Sequence, residues 1–218
     1  MSETFGSLIS RIADKLIVDD MDSQIGTAIN LAINYYQDEA LWFTQAVTSI
    51  TLNANDPVVP SIPSDVLYER QGDGLVLDYA QTRYPLVKVD NQTYDMMNVQ
   101  AVGMPSWYTY RDGEYQVYFY PDQTYTMLFR YQKFYPDLVQ TSDSNDWLVN
   151  AARLIEAKTL CDFYLDYRHE PEMSLIYGNK ATAELIKVRD QSSNLTATGM
   201  LITENIINKG IYDYDPIT

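Results

Sequence analysis

The residues that most often do chemistry are scarce in this chain: Cys161 is the one cysteine and His169 the one histidine. They stand eight positions apart. Cys161 falls in a helical stretch and His169 in the turn after it, so about 12 Å of helix axis separates them, at 1.5 Å per residue. That spacing does not make a nucleophile and base pair, and one Cys with one His cannot build a zinc site from those ligands. Asp20-Met21-Asp22 opens like a calcium loop, but Ile25 stands where glycine is required and Leu31 where a bidentate glutamate is required. Gly72-Asp73-Gly74 lacks the lysine and following helix of a phosphate loop. Paired carboxylates remain, since the chain has 30 Asp plus Glu. Spacing alone brings no two of them together, and a glycosidase needs a pair at roughly 5 to 10 Å. No catalytic, cofactor-binding or metal-binding residue is assigned, and no cofactor is expected.

Against those acids stand 15 Lys plus Arg, giving a formal charge of -15. No basic cluster of the kind that neutralises phosphates occurs, which argues against a DNA clamp and against adhesion to an anionic membrane. The start, Met1-Ser2-Glu3-Thr4-Phe5, is acidic where a secretion signal is basic, and no apolar run reaches the ~18 residues of a span. The expectation is synthesis in the cytoplasm and no membrane partner, with Cys161 a small buried hydrophobe. Nineteen tyrosines are far above ordinary usage. On strands they serve cross-strand packing or, as the alternative, a carbohydrate-binding or glycoside-hydrolase surface.

The elements follow from periodicity. Phe5, Leu8, Ile9, Ile12 and Leu16 predict a helix over 4–16, and Ile25, Ala28, Ile29, Ala32, Ile33 and Tyr36 a second to about Ala40. From Val47 the pattern alternates, and Pro57, Pro60 and Pro63 break regular structure. Strands are predicted at 47–52, 66–69, 75–79, 107–110, 116–120 and 125–131, with Asp112-Gly113 as a hairpin turn and a short helix over 91–99. After the capping stretch Ser142 to Asp146, Trp147 to Arg168 reads as one helix of about five turns, and Pro171 starts another. The last 28 or so residues are polar but carry Met200, Leu201, Ile202, Ile206, Ile207 and Ile211. They read as an arm whose aliphatics form an interface, on a neighbouring subunit or back on the same chain. The fold class is α+β: a bundle of about four helices, two N-terminal and two C-terminal, with an inserted antiparallel β-strand meander and an extended C-terminal arm. The divisions are 1–44 with 142–190 for the helical body, 45–141 for the β-rich insertion and 191–218 for the arm.

The order of several segments resembles a known family. These are Thr4-Phe5-Gly6-Ser7-Leu8-Ile9, Ala28-Ile29-Asn30, Tyr35-Tyr36 with Trp42-Phe43, Ile62-Pro63-Ser64-Asp65, Tyr84-Pro85-Leu86 and Gly103-Met104-Pro105-Ser106-Trp107-Tyr108. Val117-Tyr118-Phe119-Tyr120-Pro121, Leu128-Phe129-Arg130-Tyr131 and Asn145-Asp146-Trp147-Leu148 through His169-Glu170-Pro171 continue it. Together they are similar to the head-to-tail adaptor (connector, or head completion) proteins of tailed bacteriophages. The resemblance implies a structural virion protein without catalysis, at the portal vertex or tail neck, in a ring of usually twelve copies. It implies the portal protein, a tail or nozzle protein and the chain itself as partners, with DNA passing through without specific binding. An acidic wall suits such a conduit, because phosphates are not captured by like charge.

Overall fold

The structure, a computed structural model, describes residues 3–70, 72–97 and 101–211, with side chains up to 195. In chain order the first elements are α1 (Phe5–Leu16), α2 (Asp22–Tyr36), β1 (Gln45–Leu52), β2 (Val66–Glu69), β3 (Leu75–Tyr79), β4 (Thr82–Pro85) and β5 (Val87–Lys88). Next come α3 (Asn91–Met96), β6 (Val102–Gly103), β7 (Trp107–Arg111), β8 (Glu114–Tyr118), β9 (Tyr120–Pro121) and β10 (Tyr125–Lys133). The chain ends on α4 (Asp146–Asn150), α5 (Ala152–Asp166) and α6 (Pro171–Ile211). They form two compact units, a helical one of Met1–Thr44 with Tyr135–Thr218 and a β-rich one of Gln45–Phe134.

In the helical unit, α1 starts where Thr4 and Ser7 cap each other: the Ser7 N–H donates to Thr4 Oγ1 at 3.2 Å and the Thr4 N–H to Ser7 Oγ at 2.9 Å. Its first turn is tied down by backbone bonds from Phe5 to Asp143 and from Gly6 to Thr141, at 2.8 and 2.9 Å. Gly6 is required there, since a Cβ would meet Thr141 Cβ at 2.8 Å. Leu8, Ile9, Ile12 and Leu16 form the buried stripe, facing Ile25, Ile29, Ala32 and Ile33 of α2 in one core. Asn30 holds the chain at Leu138 by donating to its carbonyl and accepting its N–H, both at 3.0 Å. Trp147 sits at the centre, with the rings of Phe43, Tyr36 and Tyr135 at 5.1, 6.3 and 6.5 Å.

Three expectations are corrected. The helix from Trp147 is broken at Ala151 (φ -135°, ψ 26°), giving a short α4 capped by Asn145 and a separate α5. Ala151 is buried, and packing there overrides the best intrinsic helix former. The C-terminal region is not an extended arm up to Ile211: α6 runs unbroken through 190. Its Ser, Thr and Asn content lowers helix propensity without stopping the helix, and no proline follows Pro171 before Pro216. The described residues thus form six helices, and a simple four-helix count does not describe them.

The third correction concerns the β unit, which is not a plain meander. Its main sheet has the order β1-β10-β3-β4, with β2 also pairing β10. The last strand therefore lies centrally, antiparallel to β1 from Gln45↔Gln132 to Leu52↔Tyr125 and to β3 from Thr126↔Asp78 to Phe129↔Leu75. Tyr125, Met127, Phe129 and Tyr131 are all buried on one face of β10, which lies between β1 and β3. The β7–β8 hairpin turns at Asp112-Gly113, where Gly113 has φ +86°. The short pairs β5 with β7 and β6 with β9 are parallel. Several tyrosines pack inward with hydrogen-bonded tips, as Tyr94 donates to the Val117 carbonyl (3.1 Å), Tyr125 to Asp122 (2.6 Å) and Tyr131 to Asp65 (3.1 Å). Tyr94, Tyr108, Tyr115, Tyr125 and Tyr131 are buried, so these rings offer no stacking face to a sugar.

Candidate interface surfaces

The structure places Cys161 in α5 and His169 outside it, in the turn before α6. Cys161 is a free thiol, half-buried rather than buried, because it lies on the flank of α5 with Sγ 3.5 Å from Ser174 Oγ. His169 occupies the turn before α6 in a left-handed conformation (φ 55°). Among the described residues, no group of three or more His, Cys, Asp or Glu is placed to hold a metal ion. Asp20 also turns through a left-handed φ of 61°, which directs the chain into α2.

Among the described residues two glutamates are buried, and each is paired within its own unit. Glu69 pairs with Lys88 in the β unit. Burial, and then the nearby Glu69 charge, push the hydroxyls of Tyr108 and Tyr115 far above the ordinary tyrosine range, so both stay protonated. Glu156 of α5 accepts from Arg11 Nε at 2.7 Å and pairs with Lys15. The two cations stand one turn apart on α1, the spacing that puts them on one face beside the apolar stripe. Arg11 also reaches Glu3 at 2.6 Å, and hydrogen bonds from Ser7 and Arg11 hold the Glu3 carboxyl below its usual range despite a burial penalty.

This network forms one wall of a groove between α1, α5 and α6 with a volume of about 800 Å³. Ala157, Leu160 and Tyr177 give it an apolar floor, while Arg153, Lys180 and Glu184, the last paired with Lys187, stand over it. The other described cations of the helical unit are engaged: Lys158 with Asp162, Lys187 with Glu184, Arg189 with Glu39, and Arg168 on the Leu16 carbonyl. Arg153 and Lys180 hold no carboxylate among the described residues, and Lys180 lies over the Tyr177 ring at 4.4 Å. Nothing in the sequence pairs these two positions, which lie on different helices.

A second surface is α6 itself. Its buried residues are Ser174, Ala181, Val188 and Ser192, the first three spaced by seven. The same step reaches Leu195, which is 61% exposed, and then the position of Ile202. The predicted interface residues Met200, Leu201, Ile202, Ile206, Ile207 and Ile211 all fall on the final turns of this helix, and their side chains lie outside the described residues. On its outward side α6 exposes Leu175, Ile176 and Ile186. A third exposed apolar group is Ile17, 90% exposed in the turn between α1 and α2.

The model of the SU10 adaptor protein family matches residues 3–200, and the chain belongs to this family of phage head-to-tail adaptors. No curated protein matches the chain. No described helix is long and apolar enough to cross a membrane.

Proposed function

We propose that this chain is a subunit of the ring that joins the portal to the tail or nozzle proteins and completes the DNA conduit. The observation that carries this reading is the family match over 3–200, which spans both compact units. A ring of twelve copies around the portal fits that reading, with the helical unit as the repeated wall and the β unit meeting a different partner. The final turns of α6, with Met200, Leu201, Ile202, Ile206, Ile207 and Ile211, are the segment assigned to the neighbour or portal contact. The net charge of -15 supports passage of DNA without specific binding.

The test is genetic. A phage carrying a nonsense codon in place of Trp42 should yield heads that package DNA and then lose it, without attached tails. Tailed, infectious particles from that mutant would refute the adaptor role.

A further inference from the structure

We infer that the groove between α1, α5 and α6 is the acceptor for the α1–α2 turn of a second copy of this chain. The inference rests on the ring reading above and gives it a contact. In a chain with 30 acids and 15 bases, a cation finds a carboxylate easily, and the rest of the helical unit's described cations are held. That Arg153 and Lys180 hold none, and stand over one groove, marks a place where the carboxylate comes from outside. The groove's apolar floor of Ala157, Leu160 and Tyr177 asks for an apolar anchor in the same occupant.

The turn after α1 carries that combination. Ile17 projects into solvent at 90% exposure, followed by Asp19, Asp20 and Asp22. Ile17 also takes a left-handed φ of 53°, a conformation that glycine adopts freely and a β-branched residue resists. An exposed isoleucine held in a strained cap gives the isolated subunit nothing that glycine would not give better. Buried in a partner's groove it supplies the anchor, and the three aspartates face Arg153 and Lys180. Turn and groove are different surfaces, so a copy that donates its turn keeps an open groove, the condition for a head-to-tail repeat.

The experiment captures weak contacts covalently. Two chains, both Cys161→Ala, carry Lys180→Cys and Asp19→Cys respectively, and are mixed and oxidised; Ala54→Cys, exposed in the β unit, replaces Asp19→Cys as the control. The mixed disulfide should exceed the control by about tenfold, and adding Arg153→Glu to the groove chain should remove most of that excess. Asp20→Lys with Asp22→Lys in the other chain should then restore it. A yield equal to the control overturns the inference. So does tight binding of a labelled DNA duplex that Arg153→Glu abolishes, which would make the groove a phosphate site. If the cross-link fails while the chain still adds mass to a portal ring, the groove assignment falls alone. If the cross-link forms and the portal is not bound, the adaptor reading falls alone.

Discussion

Replacing Trp147 tests whether the helical unit is organised around one indole. The side chain is fully buried among Phe43, Tyr36 and Tyr135. A Trp buries ~150–250 Å², which at ~25 cal/mol per Å² is about 4 to 6 kcal/mol for the whole side chain. Alanine retains a methyl group worth ~0.8 kcal/mol. The indole Nε1, however, is buried without a hydrogen-bond partner among the described residues. That orphaned donor already costs the native state about 1 to 3 kcal/mol, and the cost vanishes with the ring. Trp147→Ala should therefore lose about 2 kcal/mol, while Trp147→Phe, which keeps a packed ring and removes the donor, should lie within about 1 kcal/mol of the wild type. Urea titration in a Trp107→Phe background reads this cleanly, because Trp42 of the helical unit is then the remaining fluorophore in either variant. Equal losses in the two variants, or a loss below ~1 kcal/mol for alanine, would contradict the packing argument.

Gly6→Ala should cost about 1 to 3 kcal/mol, because its Cβ meets Thr141 at 2.8 Å, whereas Gly178→Ala, with its nearest neighbour Cys161 Sγ at 3.4 Å, should be neutral or stabilising; paired thermal melts compare them. Acid should weaken the helical unit through Glu3 and Asp143, whose folded carboxyls are held low, Glu3 by Ser7 and Arg11 against burial and Asp143 by the Gln140 and Val139 N–H groups. A depressed folded pKa gives stability that is complete above the ordinary carboxylate range of about 4 and is lost as pH falls through the folded value, so Asp143→Asn should flatten the slope of stability against pH between about 5 and 2. An unchanged slope would remove Asp143 from that account. Ending the chain after Thr198 should leave the urea midpoint intact while abolishing incorporation into virions; normal incorporation would retire the last turns of α6 as an interface.

Legibility in the sequence followed the range of the forces involved. α1, α2, β2, β3 and the Asp112-Gly113 hairpin were readable because their signals are local: apolar residues at helical spacing, alternation, and a turn pair that tolerates positive φ. The central place of β10 was not, since pairing with β1 joins residues as far apart as Gln45 and Gln132. The break at Ala151 was hidden for the same reason, a good helix former being displaced by tertiary packing. The groove was not read from the sequence, because Glu156, which joins Arg11 and Lys15, and the pair Arg153 and Lys180 come together only through the packing of α1, α5 and α6.

The central claim is that this chain closes around a portal as a repeated wall. Native mass spectrometry of the purified chain mixed with the portal ring of its own phage tests it most directly. The account predicts that the portal gains mass in whole multiples of 25.1 kDa up to one chain per portal subunit, and that the chain alone does not form the same ring efficiently. A portal whose mass is unchanged by saturating chain would contradict it.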